Sequence, residues 1–438
     1  MPAPGAGDRP LLLLATVMGL GMHQAAWRAR DGEASDYVSA GLYAQVAREA
    51  ERGKLHAVFL ADTLTNAEEG TDRPALGAMD PAVVLATMAA VTERIGLVGT
   101  ASTTFNAPFD LARRFATLDH LSGGRAGWNA VTTFVPAVAE NFGGTLPDRA
   151  DRYARATEFV QVVLELWDSW GAGALVGDRE RGVFADPARV RPIDHVGEHF
   201  AVRGPLTVPR TPQGRPALFQ AGASEAGRDF AARFADVVFT AQNVLRDAVA
   251  FRADVLGRAA ARGRETRHLR VVPGILPVIG DTEAAALARK AELDELAGTG
   301  PELAKLARRV GLPVDALELD APLPVHLLGS DDEFRGSVGF RTAAVRLAVE
   351  ERLTVRELLL RNGGGHVQVV GAAEQVADLM QEWHAAGAAD GFNLMLDLVP
   401  SGLTDAVDGL VPILQDRGLF HHDYEHATLR ATLGVTDA

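Results

Sequence analysis

Short polar side chains stand directly after apolar runs at five places along the chain, and they carry few formal charges. Most are hydroxyls and amides, which donate and accept hydrogen bonds without adding net charge. Any one of them could simply cap the helix that follows, because Asp, Ser, Thr and Asn are preferred N-cap residues. Five such places together favour a polar, planar ligand that needs many neutral donors and acceptors. The groups are Asp62 and Thr63; Ser102, Thr103 and Thr104; Asn129, Thr132 and Thr133; Gln220, Gly222, Ala223 and Ser224; and Thr240, Gln242 and Asn243.

The segment GASEAG, residues 222–227, combines small residues with a serine at the start of a predicted helix. Small residues let a ligand approach the backbone, and the free amides of a helix N-terminus attract anions. Tyr153 opens another predicted helix, from which its phenol could reach the same anion. The alternatives are a simple cap at Ser224 and rim packing of Tyr153. The pattern indicates a phosphate-binding site, although it lacks the lysine of a P-loop.

His23 follows the first apolar run, in the stretch GLGMHQAAWR. A histidine in that position can act as an acid, a base or a hydrogen-bond donor near neutral pH. A capping or packing role is the alternative. We therefore treat His23 as a candidate catalytic residue.

The string HVGEH, residues 195–199, matches the H-x-x-E-H pattern of a metallopeptidase class. Zinc binding by that pattern needs both histidines on one helical face. Gly197 inside the string and Pro192 before it argue against a helix, so we expect a hairpin turn and no metal site. The glycine run at residues 363–365, before His366, is interpreted as a flexible connector.

Composition limits the class of protein. The 438 residues contain no cysteine, which excludes disulfides, thiolate catalysis and thiolate-bound metals. With 43 basic and 57 acidic residues the net charge is −14, which disfavours nucleic acids and anionic membranes as partners. The longest apolar run, residues 11–22, is too short to span a bilayer. We therefore expect a cytoplasmic enzyme that borrows its redox chemistry from a cofactor.

Strand-like runs alternate with helical patterns along most of the chain, which predicts a parallel sheet covered by helices. Eight such units favour closure into a TIM barrel over an open doubly wound sheet, an α/β architecture in either case. Two stretches interrupt the alternation, at about 171–214 and 298–366, and we expect them to be insertions in a single domain spanning residues 1–438. The predicted strands cover residues 11–18, 57–61, 95–101, 125–131, 217–220, 237–240, 269–276 and 392–398.

Several long stretches resemble one family, the bacterial luciferase-like flavin-dependent monooxygenases, in the branch of the nitrilotriacetate and dibenzothiophene sulfone enzymes. The stretches are HLSGGRAGWNAVTT, DRYARATEF and ALFQAGASEAGRDFAARFADVVFTAQ. The resemblance implies a TIM barrel that receives FMN, as FMNH2, from a separate NAD(P)H:flavin reductase. It implies O2 as co-substrate, a flavin peroxide as the oxidant and a small organic substrate. A homodimer or homotetramer is the assembly that it implies.

Site residues also follow from the resemblance, which implies that Asp62, Thr103, Asn129 and Thr133 contact the flavin ring and ribityl chain. It further implies that Tyr153, Ala223 and Ser224 hold the phosphate. His23 is the expected proton donor on the substrate side, with Phe59 and Trp128 as apolar walls of the substrate pocket. The insertion at 298–366 is a candidate lid, with an oligomer contact or surface decoration as alternatives.

Two other classes of enzyme stay open at this point. One is a deazaflavin-dependent hydride-transfer oxidoreductase of the same superfamily. The other is a metal-dependent or Schiff-base barrel enzyme, such as a hydrolase or an aldolase. The chain's lysines, Lys54, Lys290 and Lys305, all fall in or beside helical patterns, which disfavours the Schiff-base option.

Overall fold

The computed structural model describes residues 9–66, 79–331, 333–334 and 336–435. Within those residues the strands are β1 Leu12–Val17, β2 Ala57–Leu60, β3 Gly96–Ser102, β4 Ala126–Val131, β5 Leu175–Asp178, β6 Val183–Ala185, β7 His195–Val196, β8 Ala201–Val202, β9 Ala217–Gln220, β10 Val237–Thr240, β11 Arg270–Ile279, β12 Val367–Gly371 and β13 Gly391–Met395.

The helices of the same residues alternate with these strands. They are α1 Ala26–Ala29, α2 Ala40–Arg52, α3 Pro81–Ala89, α4 Pro108–Leu121, α5 Pro136–Asn141, α6 Arg149–Asp168, α7 Glu225–Phe234, α8 Leu245–Ala261, α9 Glu283–Ala297, α10 Thr299–Val310, α11 Val338–Glu350, α12 Val355–Leu360, α13 Ala373–Ala385, α14 Ser401–Asp405, α15 Val411–Asp416 and α16 Leu429–Thr432. No helix of the described residues is long and apolar enough to cross a membrane.

Eight parallel strands form a closed ring in the order β1-β2-β3-β4-β9-β10-β11-β13. Closure comes from the pairing of β13 with β1 and of β10 with β11. Parallel strands that alternate with helices and close on themselves make a TIM barrel. Each of the eight strands predicted from the sequence overlaps one strand of this ring. The predicted fold class is therefore confirmed.

A further strand, β12, pairs in parallel with the second half of β11 and lies outside the ring. Sequence analysis did not predict it, because it follows the glycine run directly and is only five residues long. Its position explains why β11 is ten residues long, since the first half of β11 pairs within the barrel and the second half pairs with β12.

Alternate side chains of the barrel strands point inward, as strand geometry requires. Leu14, Phe59, Val98 and Phe219 form part of a buried cluster inside the ring, which Leu433 from the end of the chain completes. The amino-terminal half of the barrel is therefore filled. Only the carboxyl ends of the strands remain for a ligand, as in other TIM barrels.

The turn before β4 explains the glycine-rich motif that leads into that strand. Gly123 and Gly124 have φ angles of 68° and 93°, a region that favours glycine. Arg125 then enters the core, and its guanidinium donates to the backbone carbonyls of Ala89, Thr92 and Ile95. A buried cation satisfied by neutral carbonyls fixes the start of the strand, and with it the register of the polar residues that follow.

The two predicted insertions have different structures. The first carries the hairpins β5–β6 and β7–β8. HVGEH forms β7 and the turn after it, as predicted, and His195 contacts Glu158 of α6 at 3.0 Å. No group of three His, Asp or Glu side chains among the described residues could hold a metal ion. The second insertion is a helical layer built from α10, α11 and α12, with its own buried leucines and valines.

Candidate active site

A cavity of about 220 Å³ opens at the carboxyl ends of β4 and β9. Tyr153, Ala223 and Ser224 all line it, so the structure brings together the three residues predicted to hold a phosphate. The Tyr153 hydroxyl lies 3.5 Å from the Ser224 hydroxyl. Arg149, one turn before Tyr153 on α6, and Arg152, directly before Tyr153, line the same cavity.

The start of α7 forms one wall of this cavity. Ser224 is the N-cap residue, and its hydroxyl accepts a hydrogen bond from the Gly227 amide. A Cβ atom at Gly227 would lie 3.0 Å from the Gly222 backbone, so glycine here allows strand β9 and α7 to approach closely. The other amides of this first turn remain available to an anion.

The second insertion forms the opposite wall. Ser337 caps α11, and Gly339 packs so closely on Ala223 that a Cβ at Gly339 would lie 2.8 Å from the Ala223 side chain. Arg149 donates to the carbonyl oxygens of Asp331 and Phe334, which ties this insertion to α6. Two helix N-termini and two arginines thus surround one cavity, an arrangement that suits a dianion.

Sequence analysis missed Arg149, Arg152 and Ser337. Arg152 lay within the quoted stretch DRYARATEF and Arg149 lay two residues before it, but arginines are frequent in this chain and their spacing alone singled out neither. Ser337 lies more than 100 residues from Ser224 along the chain, and only the folded structure brings their helices together.

Asn129 projects from β4 into the barrel interior and is buried. Its amide nitrogen donates to the Thr100 hydroxyl at 3.0 Å. Its Oδ1 atom has no hydrogen-bond partner among the residues that the structure describes. Because an unpaired buried acceptor costs free energy, this oxygen is a natural contact for a bound ligand.

Thr103 and Thr133 lie near the carboxyl ends of β3 and β4. The Thr103 hydroxyl donates to the Val131 carbonyl at 3.1 Å, and Thr133 shares a 2.7 Å hydrogen bond with Ser102. Both hydroxyls are therefore already engaged within the protein. A hydroxyl retains accepting capacity when it donates, so these bonds leave room for a ligand donor.

Asp62 follows β2 and is partly buried. Burial, with a smaller contribution from the nearby carboxylate of Asp80, raises the pKa of its carboxyl to about 6, while Arg114 opposes the rise. Carboxyls with a raised pKa are frequent in functional sites. The predicted contact of Asp62 with the flavin stays a prediction.

His23 lies between β1 and α9, apart from the residues that line the cavity. Its Nδ1 atom accepts a hydrogen bond from the Ala25 amide at 3.2 Å, which places the ring proton on Nε2. Nε2 faces the Asp294 carboxylate at 3.2 Å, and Asp294 in turn contacts Lys290. His23 is thus held in one orientation by two partners.

The two predicted apolar walls have different locations. Phe59 points into the barrel, where its ring lies 5.6 Å from that of Phe239. Trp128 points outward and is fully buried between the barrel and its helices, against Phe115 and Phe159. This placement does not fit the predicted role of Trp128 in a substrate pocket. Adjacent strand residues face opposite sides, so Asn129 and Trp128 could not both face the interior.

The glycine run at residues 363–365 is not the free connector that the sequence suggested. Asn243, after β10, donates from its side-chain amide to the carbonyls of Gly364 and Gly365 at 2.8 and 3.0 Å. Gly364 has a φ of 65° and packs on Ala344 of α11. The run is a fixed turn, and the interpretation as a flexible connector was wrong.

Comparisons with known proteins agree with this geometry. The family model described as luciferase-like monooxygenase matches residues 22–390. N-acetyl-S-(2-succino)cysteine monooxygenase of Bacillus subtilis (strain 168) is 43% identical over 95% of both chains. Nitrilotriacetate monooxygenase component A of Aminobacter aminovorans is 42% identical over 95% of this chain and 94% of its own. Among solved structures, riboflavin lyase with a modified FMN and riboflavin superposes with a TM-score of 0.85, at 31% identity over 97% of this chain and 96% of that one.

Proposed function

Because the chain belongs to the luciferase-like monooxygenase family, we propose that it is the FMNH2-dependent oxygenating component of a two-component system. It is a flavin-dependent monooxygenase, which uses reduced flavin and O2 to oxygenate an organic substrate. The observation that carries the choice of FMN is the cavity shared by Tyr153 and Ser224, with two helix N-termini and two arginines around it.

The phosphate of FMN is a dianion of a size that this cavity can accept. The first-turn amides of α7 and α11 would bind its oxygens, and the Tyr153 and Ser224 hydroxyls would add two hydrogen bonds. Ala223 would allow the phosphate to approach the backbone. Arg149 and Arg152 supply the positive charge in an acidic protein.

The polar flavin ring would lie above the filled half of the barrel. The Oδ1 atom of Asn129 gives the ring or the ribityl chain an acceptor, and Thr103, Thr133 and Asp62 are proposed as further contacts. The residues present therefore fit a flavin at this end of the barrel. Reduced FMN, when bound, supplies the electrons with which O2 is activated.

The protein's own part is to hold the cofactor, exclude water and place a proton. Phe59, Phe219 and Phe239 fill the interior below the site and keep water out. We propose, from the family resemblance, that His23 is the proton donor. Its Nε2–H bond points at the Asp294 carboxylate in this structure, so it must turn from that carboxylate to the substrate for the transfer. The helical layer at 298–366 is proposed as the lid, since Ser337 and Gly339 already form a wall of the cavity.

The partner proposed for this enzyme is a separate NAD(P)H:flavin reductase. One relative, nitrilotriacetate monooxygenase, is named as component A, which indicates a second protein component in that system. A homodimer or homotetramer in the cytoplasm remains our expectation. A deazaflavin-dependent hydride transfer is less supported, because two relatives that match 95% of this chain at 43% and 42% identity are named monooxygenases.

The direct test is anaerobic titration of the protein with FMNH2, followed by oxygen uptake with NADH and a flavin reductase. We expect FMNH2 to bind more tightly than riboflavin, since riboflavin lacks the phosphate. Equal affinity for the two would contradict the proposed phosphate-binding site. Tighter binding of a reduced deazaflavin would favour deazaflavin-dependent hydride transfer instead.

A further inference from the structure

Residues 419–435 close the amino end of the barrel, and we call them the closing segment. They include α16 and contribute three buried side chains to the cluster inside the ring, Leu429, Leu433 and Val435. Two glycines make room for Leu429, because a Cβ at Gly96 of β3 or at Gly127 of β4 would lie 2.4 or 3.2 Å from its side chain. The closing segment is therefore as much a part of the barrel core as the strands are.

A pair of stacked histidines joins the start of the closing segment to the barrel. The ring of His421 lies on that of His56, directly before β2, with a centroid distance of 4.6 Å and an angle of 14° between the ring planes. Phe420 meets His56 edge-on at 5.5 Å, and the Tyr424 hydroxyl donates to the Leu55 carbonyl at 2.7 Å. The closing segment is thus anchored on the loop between α2 and β2.

Hydrogen bonds show where each ring carries its proton. The Leu13 amide of β1 donates to Nδ1 of His56 at 3.2 Å, so the His56 proton is on Nε2. Nε2 of His421 in turn donates to the Lys54 carbonyl at 2.6 Å. A second proton on His56 would have to enter at Nδ1, where it would face the Leu13 amide proton. His56 can therefore become a cation only if its hydrogen bond to β1 breaks.

The charges around His56 also oppose a second proton. Arg270 of β11 lies near this ring and donates to the Leu433 carbonyl of the closing segment at 3.2 Å. Burial, with smaller contributions from His421 and Arg270, holds the pKa of His56 well below its ordinary value. Two imidazolium rings stacked at 4.6 Å would in addition repel each other. The closed structure therefore requires a neutral His56.

Groups of both signs face His421. Burial lowers its pKa and the Lys54 ammonium adds to the fall, while the Lys54 carbonyl and the carboxylates of Glu425 and Asp423 oppose it. Lys54 and Asp423 form an ion pair at 3.0 Å, so their charges largely cancel. The neutral phenol ring of Tyr424 meets His421 edge-on at 5.7 Å. The net effect is a lowered pKa of His421, so both rings are neutral in the closed structure.

We propose that the stacked pair His56–His421 is an acid-sensitive clasp, which releases the closing segment below about pH 6 while the rest of the barrel stays folded. In the open state both rings reach water and take up a second proton with the ordinary histidine pKa of about 6.5. The closed state is therefore fully favoured above that pH, and below it the open state gains up to about 10-fold per histidine for each pH unit. Because β1 and β2 run from the clasp to the candidate active site, release should loosen that site reversibly. The clasp does not depend on which cofactor binds there.

Hydrogen–deuterium exchange with mass spectrometry tests the clasp on the full-length, flavin-free protein. Exchange of residues 427–435, corrected for the intrinsic rate at each pH, gives the equilibrium constant for opening. Two protons taken up with a pKa of about 6.5 should raise this constant about 60-fold between pH 6 and pH 5, against about 8-fold for one proton. Residues 217–220 of β9, across the ring from β1, should keep their protection.

Two variants count the protons, because each replaces one ring by an amide that does not titrate. His56→Asn keeps an oxygen that can accept from the Leu13 amide, and His421→Gln keeps a donor for the Lys54 carbonyl. Each should reduce the change between pH 6 and pH 5 to about 8-fold, and the double variant should abolish it. The matched control is His422→Gln, the same substitution in the exposed neighbour, which should keep the 60-fold change of wild type.

Three results would overturn the proposal. One is a change of about 8-fold or less in the wild-type protein, and another is a full 60-fold change in His421→Gln. The third is a parallel loss of protection in β9, which would mean that acid unfolds the whole barrel instead of releasing one segment. If His56→Asn does not fold, His421→Gln alone still counts the protons, because one titrating histidine remains.

Discussion

The Tyr153 hydroxyl faces the Ser224 hydroxyl at 3.5 Å, although the two residues lie 71 positions apart, near the starts of different helices. Both groups line one cavity, and Ser224 already uses its oxygen as the cap of α7. The pair therefore marks the point where a single ligand can contact α6 and α7 together.

Replacement of Ser224 by Asp tests the proposed phosphate-binding site. Aspartate also caps helices, so α7 should form normally, but its charge would repel a phosphate. We expect the FMNH2 affinity, measured by anaerobic titration, to fall at least about 100-fold. The control Ser39→Asp places the same change at the cap of α2 and should leave the affinity unaltered. If Ser224→Asp binds FMNH2 with an affinity within twofold of wild type, the phosphate does not bind at Ser224.

Replacement of Asn129 by Leu removes the unpaired buried oxygen. If a flavin donor binds this oxygen, the FMN affinity should fall about 10-fold, the value of one buried hydrogen bond. Thr100→Val removes the protein partner of the Asn129 amide but keeps the oxygen, so it should weaken FMN binding less. Fluorescence titration with oxidised FMN measures both variants. Equal losses in the two would show that the oxygen itself makes no contact.

The raised pKa of Asp62 predicts a dependence of stability on pH. Below about pH 4 the carboxyl is protonated in both the folded and the unfolded chain; between about 4 and 6 only the unfolded chain loses the proton. The contribution of Asp62 to the free energy of unfolding should therefore fall as pH rises through this window and stay low above it. Asp62→Asn should remove that fall.

Urea unfolding of wild type and Asp62→Asn at a series of pH values measures this difference. We expect the variant to gain stability relative to wild type as pH rises from 4 to 6. Asp80→Asn, which removes a nearby negative charge, should lower the pKa of Asp62 and shrink the gain. A constant difference across the pH range would mean that Asp62 has an ordinary pKa.

Replacement of Gly364 by Ala tests the fixed turn before His366. The left-handed φ and a 2.5 Å contact with the Ala344 backbone should cost at least about 2 kcal/mol of unfolding free energy. Gly257→Ala, in the middle of α8 with open space around the new methyl group, should instead gain about 0.5–1 kcal/mol. Urea unfolding of the two variants distinguishes a fixed turn from a free connector, which would tolerate alanine.

Replacement of Trp128 by Phe separates a core role from a substrate role. The variant loses the hydrogen bond from the indole nitrogen to the Ala101 carbonyl and part of the packing on Phe115. We expect a loss of about 1–3 kcal/mol in unfolding free energy with an unchanged FMN affinity. A stable variant with an altered choice between substrates would instead place Trp128 in the pocket.

The barrel was predictable from the sequence because each of its strands is an apolar run of ordinary length beside a helical pattern. Strand β12 was missed, since it carries Gln368 and follows glycines, and those features also mark a loop. Position at strand ends singled out Ser224, which lines the cavity, and Asn129, which is buried inside the barrel; their role in cofactor binding stays a prediction.

Contacts between distant segments could not be read from the sequence. Ser337 and His366 reach the barrel only because the second insertion folds back over it. The glycines before His366 indicate freedom when they are read alone, yet the amide of Asn243 fixes them. The orientation of Trp128 follows from strand register, and a shift of one residue in that register would have reversed it.

Helix α11 touches both ends of the proposed site, through Gly339 against Ala223 and through Phe340 against His366. When one ligand orders the start of α11, the protein loses less conformational entropy on binding a second ligand that contacts His366. By thermodynamic linkage the second ligand must then tighten the binding of the first by the same factor. Cofactor and substrate should accordingly bind with positive cooperativity, transmitted through the first turn of α11.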